Sequence, residues 1–155
     1  MSEITIDHFA LGTAVTSAAE MAELAGMSFA ITNRVPGTAG DAFDWLSWYF
    51  AWVTAAGLET EVVTPTELKA EAADSFEATI PWEQLEMAAV LYALEGEPLP
   101  SSGPIRLYVP NGSSKCLNVK SIVKLTIGHK ADGGAEEAAY GFKSTFSAAE
   151  LRMKK

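Results

Sequence analysis

Gly96-Glu97-Pro98-Leu99-Pro100-Ser101-Ser102-Gly103-Pro104-Ile105-Arg106-Leu107-Tyr108-Val109-Pro110 sets four prolines and two glycines among fifteen residues. Glu95-Gly96 reads as a turn, and Pro98 and Pro100 hold the backbone extended, because each ring fixes φ and removes a donor. Ile105 to Val109 then reads as a strand, closed by the turn residues Pro110-Asn111-Gly112. Just upstream, Ala88 to Leu94 fits either a helix or a strand. The middle of the chain is therefore built of turns and short extended pieces.

Reading outward towards the N-terminus, Asp74-Ser75 is a turn into a strand from Phe76 to Ile80, and Leu68 to Ala72 is again open between helix and strand. Asp44 is a good N-cap for a helix on which Trp45, Trp48, Tyr49 and Trp52 recur at helical spacing. Leu46, Phe50 and Val53 lie on an adjoining face, so this helix is expected to be buried nearly all round. Further back, Ile4 to Phe9 alternates as a strand broken by Gly12. Ser17-Ala18-Ala19-Glu20 is a capping box opening a helix that Gly26 ends. Met27 to Thr32 reads as a strand and Asn33 to Gly40 as a turn-rich stretch. Towards the C-terminus, Val119 to Ile127 is expected to be a strand, with Val119, Val123, Leu125 and Ile127 on one face and Lys120 and Lys124 on the other. After Gly133-Gly134, Tyr140, Phe142 and Phe146 suggest a last strand, and Ser147-Ala148-Ala149-Glu150 a capping box for a basic helix.

Strands and helices mix without a regular βαβ order, which implies an α+β class, a mixed β-sheet with flanking helices, in one domain over 1–155. The chain has 155 residues, 48% of them apolar, a net charge of −9, one cysteine and two histidines. Such a length supports a core without disulfides, and one cysteine excludes disulfide frameworks and multi-cysteine metal sites. No basic stretch followed by an apolar run opens the chain, and no run is long enough to span a bilayer, so a cytoplasmic protein away from membranes is expected. Charge is uneven: residues 1–100 hold two basic against sixteen acidic residues, residues 101–155 nine against four. The net acidity argues against nucleic-acid binding, while the basic end leaves room for a local anion pocket.

Four blocks carry a family resemblance. They are residues 74–83, residues 89–100 with Gly96-Glu97-Pro98-Leu99-Pro100, residues 103–110 with Gly103-Pro104-Ile105-Arg106-Leu107, and residues 118–127. In order and spacing they resemble the molybdopterin-binding domain of the sulfite oxidase type of oxidoreductase, with the best match over 44–127. The resemblance implies that family's fold, a molybdopterin cofactor and oxidoreductase chemistry. It also implies a cofactor-binding edge made of Asn111, Gly112, Ser113, Ser114, Lys115, Asn118 and Lys120, with Lys120 matching the family's lysine in Val-Lys-Trp. The residues themselves suit an anion: the loop offers amides and hydroxyls, and the lysines add charge.

The chain departs from the pattern where the metal would bind. The family holds molybdenum through a cysteine thiolate between the second strand and the helix, and residues 32–43 contain no cysteine. Leu117 replaces a usual basic residue and Ser121 a usual tryptophan. The expectation is thus a domain impaired in catalysis, without protein metal ligands, or a non-catalytic module that uses the same edge for a small anion or a partner protein. Cys116, beside Lys115, could be a reactive thiol, but an ordinary cysteine at a strand entry fits better. His8 could act as a base if Asp7 oriented it, yet a satisfied structural histidine is the commoner case. His129 reads as exposed, and Glu83, Glu86, Glu136 and Glu137 as solvated. The aromatic stripe of the tryptophan helix reads as core before pocket. Gly112-Ser113-Ser114-Lys115 lacks the Walker spacing, which removes a nucleotide triphosphatase.

Overall fold

The computed structural model describes residues 3–58, 64–130 and 138–142. In chain order its elements are β1 (Ile4–His8), β2 (Gly12–Thr16), α1 (Ala18–Ala25), β3 (Phe29–Ala30), β4 (Asp41–Asp44) and α2 (Trp45–Ala55). There follow β5 (Glu67–Ala72), β6 (Phe76–Pro81), β7 (Ala89–Leu94), β8 (Glu97–Pro98), β9 (Arg106–Tyr108), β10 (Ile122–Gly128) and β11 (Ala139–Phe142). One sheet runs β11-β6-β5-β10-β1-β2, and only its β1–β10 pair is parallel. The second runs β3-β4-β7, with β8 and β9 both paired to β7. Mixed strands beside two α-helices make the class α+β.

The alternation of β1 explains the larger sheet. Ile4, Ile6 and His8 turn inward and Thr5 and Asp7 outward, so one face is buried and the other meets water. Leu68 and Ala70 of β5, Ala78 and Ile80 of β6, and Leu125 and Ile127 of β10 extend the same inner face. Against it pack Trp45, Trp48, Tyr49 and Val53 of α2 and Met21 of α1. Each large side chain removed from water contributes roughly 1.5–3 kcal/mol, and that burial holds the helices to the sheet. The second sheet gives Val90 and Leu107 to this core, while Ala42, Ala89 and Leu91 pack on its other side with Ile31.

Both helix starts behave as their sequences predict. Ser17 Oγ accepts from the Glu20 amide at 3.3 Å, although the Glu20 carboxylate accepts from the Ser17 hydroxyl at 3.2 Å rather than from the cap amide. Asp44 caps α2 by accepting from the Ser47 amide at 2.9 Å. The two open segments, Leu68–Ala72 and Ala88–Leu94, are strands, because each is paired on both sides and alternation outweighs helix propensity there.

Four expectations need correction, and one strand was not foreseen. Gly12 does not end the first extended region. It begins β2, opposite His8 and with φ of 78°, so the region is a hairpin. The strand from Met27 to Thr32 contracts to Phe29–Ala30, followed by a 3-10 turn at Ile31–Asn33, since the Ile31 amide bonds to the Gly40 carbonyl. Asp41–Asp44, to which the sequence assigned only the N-cap Asp44, is a strand. α2 is not buried all round: Phe50 is 47% exposed, because nothing described covers its face. The strand at 119–127 starts at Ile122, after Ser121 takes φ of 54°, and a bulge at Val123 moves that residue off the core row. Lys120 and Lys124 therefore do not share one strand face, and Lys124 stands opposite Glu71. Phe146 and the helix expected from Ser147 lie outside the described residues, as do Gly133, Gly134, Glu136 and Glu137.

Candidate functional site

The loop expected to hold an anion connects β9 to β10. Asn118 closes it: its Oδ1 accepts from the Val109 amide at 2.8 Å, while Val119 and Leu107 exchange two backbone bonds of 2.8 and 3.0 Å. The Gly112 amide donates to the Val109 carbonyl at 2.9 Å, and the Ser113 amide to Gln84 Oε1 at 3.1 Å. The amides of Leu117 and Asn118 go to the carbonyls of Ser114 and Lys115 across a 3-10 turn, Lys115–Leu117, with Cys116 in its middle. Three of these donors serve the loop's own closure, and the Ser113 amide ties it to Gln84. Asn111, Ser113, Lys115 and Lys120 are exposed, Ser114 and Gly112 are half-buried, and Leu117 is fully buried in the core. Leu117 thus has a packing role where the family has a basic residue.

His8 is a satisfied structural histidine. It is 2% exposed, and its Nδ1 accepts from the amides of Ala10 and Leu11 at 3.0 and 3.2 Å. With the Nδ1 lone pair so used, the neutral ring carries its proton on Nε2, which donates to the Tyr49 hydroxyl at 2.9 Å. The ring stacks against Phe9 and Tyr49 and tilts against Trp52. Burial lowers its pKa below 6.5, with the Asp7 carboxylate acting weakly the other way, and burial pushes the Tyr49 hydroxyl up to about 12. The pair fastens the β1–β2 turn to α2. A general base needs a nitrogen free to take a proton from a substrate, and here both are engaged. His129 is exposed, as expected, with Nδ1 3.0 Å from the Thr64 carbonyl.

Arg34, in the stretch that the resemblance would align with a metal-binding segment, ties β4 to the start of β7. Its guanidinium reaches Asp44 Oδ1 at 2.7 Å and the carbonyls of Ala88 and Met87 at 3.1 and 3.3 Å, and it lies 4.4 Å over the Phe29 ring. Among the described residues no three His, Cys, Asp or Glu side chains converge as a metal site. The donor set here does not fit molybdenum, which takes a soft thiolate in that family.

Open volume lies elsewhere, between α1 and the loop joining β8 to β9. A cavity of about 420 Å³ is bounded by Ser17, Ala18 and Ala19 in the first turn of α1, by Tyr92 of β7 and by Pro98 to Pro104. Its loop wall is fixed from behind. Arg106 Nη2 donates to the Ser101 carbonyl at 2.7 Å, and the Ser121 amide to the Ser102 carbonyl at 2.9 Å. Gly103-Pro104 is a cis peptide. The Tyr92 ring is held by its hydroxyl, 2.5 Å from the Ser28 hydroxyl, and by the Phe43 ring at 5.7 Å. Sequence reasoning placed Pro98–Pro104 in an extended turn but missed the cavity. The one available signal was rigidity, three prolines within seven residues opposite a helix cap.

No helix is long and apolar enough to cross a membrane among the described residues. No protein-family model, no curated protein and no solved structure matches this chain.

Proposed function

We propose that this domain binds a small molecule without transforming it, in the cavity between the first turn of α1 and the Pro98–Pro104 loop. The observation that carries this reading is a volume of about 420 Å³ walled by rigid groups, within the range usual for small-molecule sites, roughly 300–1,000 Å³. Among the described residues no nucleophile–base pair stands in its wall, which favours binding over catalysis. An NMR screen of small neutral and charged compounds tests it. Ligands should shift the amides of Ala18, Ala19, Tyr92 and Ser102, and Ala19→Trp should abolish those shifts while leaving the urea midpoint in place. Hits that all map elsewhere would overturn it.

A second reading is a molybdopterin-binding oxidoreductase domain of the sulfite oxidase type, impaired for lack of the thiolate. It is favoured by the four sequence blocks and by the exposure of Lys115 and Lys120 beside one loop. Its test is elemental analysis for molybdenum, with pterin fluorescence after oxidation, on protein from a host that makes the cofactor. If it holds, Lys120→Ala should weaken a phosphate-bearing ligand by about 1–2 kcal/mol in calorimetry.

A further inference from the structure

Resting on the small-molecule reading, the chemistry of the walls narrows the class of ligand. Among the described residues, no Lys, Arg, His, Asp or Glu side chain lines the cavity. An ionised group brought into it would lose water without gaining a counter-charge, a loss proteins otherwise meet with pairing. Among the described lining residues, the first turn of α1 is the feature that would draw an anion, through its amide dipoles, and the Arg106 guanidinium beyond Ser101 is already engaged with that residue's carbonyl. That attraction is opposed on the spot: Ser17 holds the Glu20 carboxylate at 3.2 Å, at the same turn. The excess of acidic residues over residues 1–100 repels anions further.

The remaining surface consists of flat, rigid groups. Pro98, Pro100 and Pro104 line the space together with Tyr92 and Leu99. Such walls favour a ring, which buries area against them and has little conformational freedom to lose. The lining side chains that carry polar atoms are those of Ser17, Tyr92, Ser101 and Ser102. Ser17 is engaged with Glu20 and Tyr92 with Ser28, and the carbonyls of Ser101 and Ser102 with Arg106 and Ser121, so among the described lining side chains the hydroxyls of Ser101 and Ser102 are left to meet one donor or acceptor on a ligand. We infer that the cavity takes an uncharged mono- or bicyclic compound with one polar substituent, its ring against the prolines and Tyr92 and its polar atom at Ser101 and Ser102.

Three probes of one shape and three charges test this: benzamide, benzoate and benzylamine, each titrated into the full chain and followed by amide chemical shifts. Benzamide should shift Ala18, Ala19, Tyr92 and Ser102 with a Kd at least about tenfold below the other two, since only they bring an unpaired charge. Ser102→Ala should weaken benzamide about three- to tenfold, as expected for one lost neutral hydrogen bond, with an unchanged urea midpoint showing that the fold persists. Tighter binding of benzoate or benzylamine at the same residues would overturn the charge class while the binding reading stood. If none of the three moved those amides, both would fall.

Discussion

The loops on either side of β9 are made of the same materials, proline, glycine and serine, yet one closes on itself and its neighbours and the other borders open space. In the loop from Pro110 to Asn118 the polar groups are spent on closure: Asn118 Oδ1 on the Val109 amide, the Gly112 amide on the Val109 carbonyl, the Ser113 amide on Gln84. In the loop from Leu99 to Pro104 the fixing bonds come from Arg106 and Ser121, which are not among the described lining residues, and the loop borders open space opposite α1. A loop becomes a binding surface when what holds it leaves its exposed face unspent. Serine and glycine content says nothing about which of the two will happen.

The largest way to disturb the contrast is to remove the core that both loops stand on. Trp48 is fully buried between the rings of Trp45 and Trp52, so Trp48→Ala should cost about 3–5 kcal/mol. A urea midpoint that hardly moved would show that α2 is not core. Next comes the closed loop alone. Asn118→Ala strands the Val109 amide and should cost about 1–3 kcal/mol, with faster hydrogen exchange at Val109 and none of that change at Ser102.

Glycine exchange compares the two loops directly. A Cβ at Gly112 would stand 3.0 Å from both the Val109 carbonyl oxygen and Leu117 Cδ1, whereas at Gly103 the nearest atom is Leu99 Cβ at 3.4 Å. Gly112→Ala should destabilise by about 1–2 kcal/mol, as overpacking does, and Gly103→Ala by less than about 0.5 kcal/mol. Equal midpoints for the two variants would erase the distinction between a packed loop and an open one.

The smallest effect is a gradual one with pH, and it belongs to His8 rather than to either loop. Its folded pKa lies below 6.5, so the unfolded chain binds the extra proton first as pH falls. The stability it contributes is complete above pH 6.5 and is lost between there and the folded pKa, at no more than about 1.4 kcal/mol per pH unit. Tyr49, raised to about 12, acts at the other limit, losing its share as pH rises from 10 towards 12. His8→Phe should flatten the acid limb of a plot of urea midpoint against pH. An unchanged limb in that variant would show that the titration belongs to another group.

Much of the local structure was legible in the residues. Alternation marked β1, the Asp74-Ser75 turn marked the start of β6, Ser17 and Asp44 marked two helix starts, and Pro110-Asn111-Gly112 marked the end of β9. The tryptophan stripe named the core face of α2, though not the exposure of Phe50, because an apolar side chain stays in water when no element arrives to cover it. His8 was legible only as a choice between base and structural residue. Its two ring nitrogens were settled by the amides of a tight hairpin turn and by a hydroxyl 41 residues away.

By itself, the sequence determined the α+β class, the helix caps, the turn positions and the absence of a cysteine between residues 32 and 43, since each depends on neighbouring residues or on composition. Tertiary structure alone decided whether Leu68–Ala72 and Ala88–Leu94 were strands, because hydrogen-bonded partners on both edges outweigh a weak local preference. It alone decided where open space remains. The walls of the cavity come from α1, β7 and the Pro98–Pro104 loop, and a gap between distant segments is a property of how they pack, which no single stretch of chain contains.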